Sequence, residues 1–451
     1  MGHPSDRSIV PDLSVIVVVH NMTREAPRTL LSLSTRCQRE IAADEYEVIV
    51  VDNGSAPPLD PAMVEQLPGH FRLIRIDPAP PSPAYAVNRG LAAARGRVIG
   101  VMVDGARLVT PGLLHFARHG VGLHARAVVA TLGWYLGQDY QSLAVKDGYD
   151  AAREDALLDG IRWPEDGYRL FEVSTLGEAS LAGWFPELNA SSETLSESNA
   201  LFLSRESWDA LGGYDERFDL PGGGFVNLDT FRRALELPDA RLVLLLGEAT
   251  FHQVHGGTAT NAPPEVFRTK LREWMVQYMK IRGRPWTAPT PAHPPTYLGP
   301  LPRAALARFV RGAIDPVRRN RLQPLGPAFD LWSWPDPPSP RSADPVIAAL
   351  VDLMRTEFHA GRYDAVAVIA RLARAHAPHA PEPLRILPLV APYFDEREWK
   401  YPAPRGARFH LAVGKALLAI GERERASAAF RAALDVDPDL TEARELAGSP
   451  T

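Results

Sequence analysis

Four short runs of aliphatic, mostly β-branched residues, each stopped by polar or glycine residues, restrict this chain more than any other feature. They are LSVIVVVHN from Leu13, EYEVIVVDNGS from Glu45, FRLIRI over 71–76 and RVIGVMVDG over 97–105. Near-continuous runs of this kind are what strands buried on both faces require. Helix-like segments separate them, which predicts right-handed crossovers and an open, mostly parallel sheet with helices on both faces. Ligands of such sheets bind beyond the carboxyl ends of the strands. The residues closing each run are therefore the first candidates for chemistry: His20 and Asn21, Asp52 to Ser55, and Asp104 to Arg107.

After a tail over 1–12, a first α/β domain spans 13–282, in two halves over 13–133 and 134–282. Residues 134–198 have weak periodicity, as loops and short elements over a sheet edge do. SNALFLSRESWDALGGYDERFDLPGGGFVNLDTFRRAL over 198–235 is organised again, and RLVLLLGEATFHQVHGG closes the domain. Proline dominates 283–345, which reads as an extended or wrapping linker. The remainder, 346–451, is an all-α domain. Gly414, Gly421, Ala426, Phe430, Ala433 and Pro438 have the spacing of a tetratricopeptide unit, in which small residues let two antiparallel helices approach. Gly361, Tyr363, Ala373 and Pro378 trace a weaker copy, separated from the first by an insertion near PEPLRILPLVAPYFDEREW. A plain helical bundle is the alternative.

Composition narrows the function. With 54 acidic and 49 basic residues the net charge is -5, without the basic excess that binding a phosphate backbone needs, so nucleic acid is not an expected partner. The single cysteine, Cys37, cannot form an intramolecular disulfide, and the first residues lack a basic-then-apolar signal, so a reducing cytoplasm is expected. The run LVLLL at 242–246 is far below the roughly 18 residues a membrane span requires. Contact with the inner membrane face, if any, is peripheral. Richness in alanine, arginine and proline fits a high-GC bacterial source.

Asp52 ends a buried strand and precedes Asn53 and Gly54, which puts a carboxylate beside a turn at the ligand edge. It can accept an N–H of a nucleotide base, or it can simply organise the turn. The ordered set VVVHN, VVDNGS, AVNRGLAAARGRVI and VMVDGARLVTPG resembles the first half of the family-2 glycosyltransferases, over about 100 residues. That resemblance implies a GT-A (Rossmann-like) fold and a donor that is a nucleotide-diphosphate sugar. It implies that His20, Asn21, Asp52 and Asn53 line the base pocket, that Asn88 and Gly90 form a turn whose helix lies beneath the donor, and that Asp104 is the first acid of a metal-binding Asp-x-Asp motif. The second acid of that motif is Ala106 here, followed by Arg107. A hard divalent cation such as Mn2+ or Mg2+ is held less well by one carboxylate. Either Asp104 and His252 hold it, or the Arg107 guanidinium pairs with the diphosphate in its place.

The block over 198–233 resembles galactosyltransferase-type members, in which an aromatic GGYDERF segment precedes an acidic pair supplying the general base. Here the pair is replaced by Val226 and Asn227. Asp229 keeps the later acidic position and is the expected catalytic base, with a helix N-terminal aspartate as the alternative. Gly222, Gly223 and Gly224 predict a close backbone approach, a mobile loop or a tight turn. His252 and His255 form an H-x-x-H pair, with His252 expected at the metal or the diphosphate. Trp184 and Asn227 are expected to meet the acceptor, Trp184 by stacking on a sugar face. The resemblance implies sugar transfer with inversion to a glycan, lipid-linked sugar, protein or small metabolite. A non-catalytic nucleotide-sugar scaffold, or an adaptor whose C-terminal repeats bind a protein partner, are the competing readings.

Overall fold

A computed structural model of the chain describes residues 10–137, 141–145, 147–177, 195–256, 264–305, 344–360, 362–378 and 406–448. It divides into two compact units, one of Met1–Trp274 with Thr287–Gln323, the other of Met275–Trp286 with Pro324–Thr451.

The first unit is built on a mixed sheet. Its strands are β1 (Leu13–Val19), β2 (Tyr46–Asn53), β3 (Phe71–Ile76), β4 (Val98–Met102), β5 (Arg107–Val109), β6 (Ala127–Leu136), β7 (Ser174–Leu176), β8 (Leu201–Ser204), β9 (Arg241–His252) and β10 (Thr296–Leu298). The order is β10-β9-β6-β8-β4-β1-β2-β3, with β5 paired to β9 and β7 to β6. β1 is parallel to both β2 and β4, and β2 to β3, as the four runs predict. β8 enters antiparallel to both β4 and β6 and so separates this group from the parallel set β6, β9 and β10. The sheet is thus less uniformly parallel than expected.

Helices cover both faces because alternate residues of the buried strands are apolar on both sides. On one face Val15, Val17 and Val19 pack with Ala26 and Leu30 of α1 (Glu25–Ser32), and with Leu113, Leu114 and Ala117 of a later helix (Leu113–Gly122). On the other, a Cβ at Gly90 would come within 2.4 Å of Ile16 Cγ2, which shows how closely the helix Ala84–Ala93 lies on β1. Asn88 and Gly90 are therefore helical residues, not a turn. Part of the stretch expected to be a linker belongs to the sheet: Thr296–Leu298 pairs parallel with β9, and Arg232 donates to the Thr287 carbonyl at 2.8 Å.

The second unit contains the helical pairs Pro345–His359 with Tyr363–His376, and Ala407–Ala419 with Arg423–Val436, followed by Thr441–Gly448. In the latter pair small residues permit close packing, since a Cβ on Gly414 would lie 2.5 Å from the Phe430 ring. Ala426, Phe430 and Ala433 are buried there with Leu411 and Leu417, and Gly421 ends the first helix with φ +83°. Helical hairpins of this kind agree with an all-α C-terminal region. Gly361 and the insertion at 381–399 lie outside the described residues.

Candidate functional site

Both strand-ending aspartates sit at the carboxyl edge of the sheet, but their surroundings differ. Asp52 is 1% exposed. Its Oδ1 accepts the Ser55 N–H at 2.9 Å, and its Oδ2 accepts the Leu59 N–H at 3.0 Å and Arg75 Nη1 at 2.9 Å. Burial by itself would raise its pKa, but the bonds from Ser55 and Leu59 and the charge of Arg75 outweigh it and hold the carboxyl below its ordinary value. These bonds make Asp52 an organiser of its turn. The neighbouring residues are better placed to meet a ligand. His20 and Asn21 are exposed. His20 Nδ1 lies 2.8 Å from the Asn53 carbonyl, Asn21 Oδ1 accepts the Ala56 N–H at 2.8 Å, and Asn21 holds φ +54°. Asn53 is 4% exposed and its Oδ1 has no hydrogen-bond partner among the described residues, which leaves an acceptor at this edge.

Asp104 faces imidazoles. Strand β9 brings His252 opposite Arg107 of β5 and Tyr135 of β6, and the chain then turns so that His255 joins them. His252 Nε2 lies 3.1 Å from Asp104 Oδ2, His255 Nε2 lies 3.9 Å from Asp104 Oδ1, and the two Nε2 atoms are 3.2 Å apart. Arg107 Nε donates to Asp104 Oδ2 at 3.1 Å, and the Ala106 N–H to Oδ1 at 3.0 Å. Burial and the Arg107 charge push the His252 pKa down to about 4 against the pull of Asp104, so its imidazole is neutral. For Asp104, burial is opposed by the neighbouring His252 and by the Arg107 charge, which hold it well below the usual carboxylate range.

The second nitrogen of His252 determines what this cluster can do. Its Nδ1 meets Gln141 Oε1 at 2.5 Å, so Nδ1 carries the proton and the neutral ring turns a lone pair from Nε2 toward Asp104 and His255. One carboxylate and two imidazole nitrogens thus converge, their ligand atoms all within 4.8 Å of one another. Converging lone pairs of this type suit a divalent transition ion better than Mg2+, which prefers an all-oxygen shell.

The histidine segment is locked from both directions. The Val254 carbonyl accepts Arg24 Nη1 at 2.9 Å, and its N–H donates to Glu154 Oε2 at 2.7 Å. Arg24 closes the clamp by pairing with Glu154 at 2.8 Å and Asp155 at 2.9 Å, while the Gln253 N–H donates to the Ala106 carbonyl at 2.8 Å.

Other expected residues have different places. Asp229 is 1% exposed, and its Oδ2 accepts Arg233 Nε at 2.8 Å. The same guanidinium donates to the Leu211 and Gly213 carbonyls, so Asp229, the expected base, anchors a buried ion pair. Asn88, expected beneath the donor, grips Tyr214, donating to its carbonyl and accepting its N–H, both at 2.9 Å. Asn227 is bonded to Glu197 and Tyr214. The glycines before it make a close approach, since a Cβ on Gly223 would lie 2.8 Å from Val226 and 3.0 Å from Pro83. Trp184 lies outside the described residues. Sequence reading ranked His252 above His255, although the H-x-x-H spacing marked both. Gln141, Arg24 and Glu154 carried no signal, because only the folded chain brings them to the histidines.

Comparison with known proteins bears on the half containing His20, Asp52 and Asp104. Residues 14–104 match Glycosyl transferase family 2. No curated protein matches the sequence. Among solved structures it is similar to S. aureus TarS 1-349, with 15% identity over 87% of this chain and 93% of that one and a TM-score of 0.39. It is also similar to the mannosyltransferase PcManGT from Pyrobaculum calidifontis in complex with GDP-Man and Mn2+, at 16% identity over 86% and 88% with a TM-score of 0.35. A third, glucosyl-3-phosphoglycerate synthase from Mycobacterium tuberculosis in complex with phosphoglyceric acid, shares 15% identity over 63% and 88% with a TM-score of 0.36. Among the described residues no helix is long and apolar enough to cross a membrane.

Proposed function

We propose that the first unit transfers a sugar from a nucleotide-diphosphate donor to an acceptor hydroxyl, with inversion at the anomeric carbon. The observation carrying this reading is the convergence of Asp104, His252 and His255, with Arg107, at the carboxyl edge of a sheet whose first half matches Glycosyl transferase family 2. His20, Asn21 and Asn53 bind the base, and Asp104, His252 and His255 hold a divalent cation. Such an ion supplies positive charge to the diphosphate as it leaves. Arg107 adds a fixed guanidinium beside the same oxygen of Asp104, so phosphate charge is neutralised by the protein itself as well. The Arg24–Glu154 clamp keeps the histidines from relaxing when charge moves.

Thermal stability in a panel of uridine, thymidine and guanosine diphosphate sugars tests this, each with Mn2+, Mg2+ or chelator. A donor at about 100 times its dissociation constant should stabilise the protein by roughly 2.7 kcal/mol. One donor should respond, more strongly with Mn2+ than with chelator. An equal response in chelator gives the phosphate to Arg107 alone. Tight donor binding without turnover favours a nucleotide-sugar scaffold, and no response from any donor ends the reading.

A further inference from the structure

Glu197 is a carboxylate at the same sheet edge, outside the expected base motif. It precedes β8, which runs antiparallel to β4 with Leu201 opposite Val101 and Ser204 opposite Val98. The chain just before Leu201 therefore passes the carboxyl end of β4, from which Asp104 follows. Ser198 fixes this approach: its Oγ accepts the Thr131 N–H at 3.0 Å and donates to the Ala200 carbonyl at 2.9 Å.

What holds Glu197 is a relay of side chains. Asn227 Nδ2 donates to Glu197 Oε2 at 2.8 Å and to the Ser198 carbonyl at 3.3 Å. The Tyr214 hydroxyl donates to Asn227 Oδ1 at 3.0 Å, which orients the amide so that its nitrogen meets the carboxylate. Tyr214 is buried, and burial together with the Glu197 charge pushes its phenol pKa up, so it stays protonated and a donor. Asn88 in turn clamps both backbone groups of Tyr214. Glu197 itself is half-buried, so it can still be reached by a ligand, unlike Asp229.

We propose that Glu197 is the general base of the transfer reaction and that Asn227, Tyr214 and Asn88 position it. This inference rests on the glycosyl-transfer reading above. The amide at Asn227 cannot take a proton, but it can hold a carboxylate that does. The acceptor hydroxyl gives its proton to Glu197 while its oxygen bonds to the anomeric carbon. The bond from that carbon to the diphosphate oxygen breaks, and its electron pair leaves with the nucleoside diphosphate.

Donor hydrolysis with water as acceptor tests this without knowing the natural acceptor, because water must also lose a proton. In the full chain, Glu197→Gln should slow nucleoside diphosphate release by about 100- to 10,000-fold. The donor-induced rise in melting temperature should persist. Asn227→Ala should lower kcat for hydrolysis about tenfold with the donor KM unchanged, a split that a merely structural role for the amide does not produce. A Glu197→Gln variant hydrolysing near the wild-type rate overturns the inference while leaving glycosyl transfer intact. If that variant does not fold, an unchanged kcat in Asn227→Ala overturns it instead. Wild-type protein that releases nothing from any donor removes this inference and the reading beneath it together.

Discussion

The ends of β2 and β4 are nearly the same in sequence, VVDNG and VMVDG, and the structure gives them different work. Asp52 spends both oxygens on its own turn and on Arg75, whereas Asp104 meets histidines delivered from a strand roughly 150 residues later. The difference does not lie in the aspartates. It lies in what the rest of the chain brings to them, and β9 reaches only one of the two ends. A third strand-borne acid extends the contrast. Glu248 on β9 is 2% exposed, and its bonded partner is the neutral Tyr168 hydroxyl at 2.8 Å, so burial pushes its pKa up to about 7. Arg75 and the turn N–H groups hold Asp52 below its ordinary value, whereas burial raises Glu248 against its hydrogen bonds.

Substitutions can break or sharpen this comparison. The largest effect is expected at Asp104: Asp104→Asn should lower nucleoside diphosphate release by about 100- to 1,000-fold, with the melting temperature little changed. A comparable loss in Asp52→Asn, at unchanged stability, would contradict the division of labour. Asp52→Ala strands two buried N–H groups and frees Arg75, so chemical denaturation should show about 3 kcal/mol less stability, with turnover per folded molecule retained. Glu248 gives a pH test. Its raised folded pKa favours the native state fully below the ordinary value of 4.5, and that contribution is lost as pH rises through about 7. Between those limits the folded state binds more protons, so wild-type stability should fall relative to Glu248→Gln by about 2–3 kcal/mol, read from denaturation at pH 4.5 and pH 8. The smallest effect is expected at Arg75, 37% exposed, where Arg75→Ala should cost about 1 kcal/mol.

How much was legible in advance follows the same line. Uninterrupted runs such as LSVIVVV can satisfy their apolar groups only as strands buried on both faces, so β1, β2 and β4 and their parallel pairing were readable from local sequence. The antiparallel entry of β8 was not, because LFLS is short and its pairing is decided by which gap remains between β4 and β6. Asp104 and His252 stood out in the sequence because each closes an apolar run. The ion pair of Asp229 did not, since an acid at a helix start has the same pattern whether it faces a ligand or its own Arg233 four residues on. Glu197 had no local signature. Its meaning depends on Asn227 and Tyr214, residues that look like departures from an acidic motif until their bonds are seen.

The clamp on Val254 also bears on the order in which this protein can be made. Arg24 and Val254 are 230 positions apart, and Glu154 lies between them. A growing chain can finish the strand ends that carry His20 and Asn53 long before β9 exists. During synthesis, therefore, the edge that carries His20 and Asn53 precedes the cluster of Asp104, His252 and His255. That cluster is complete only once the histidine segment has been captured between Arg24 and Glu154.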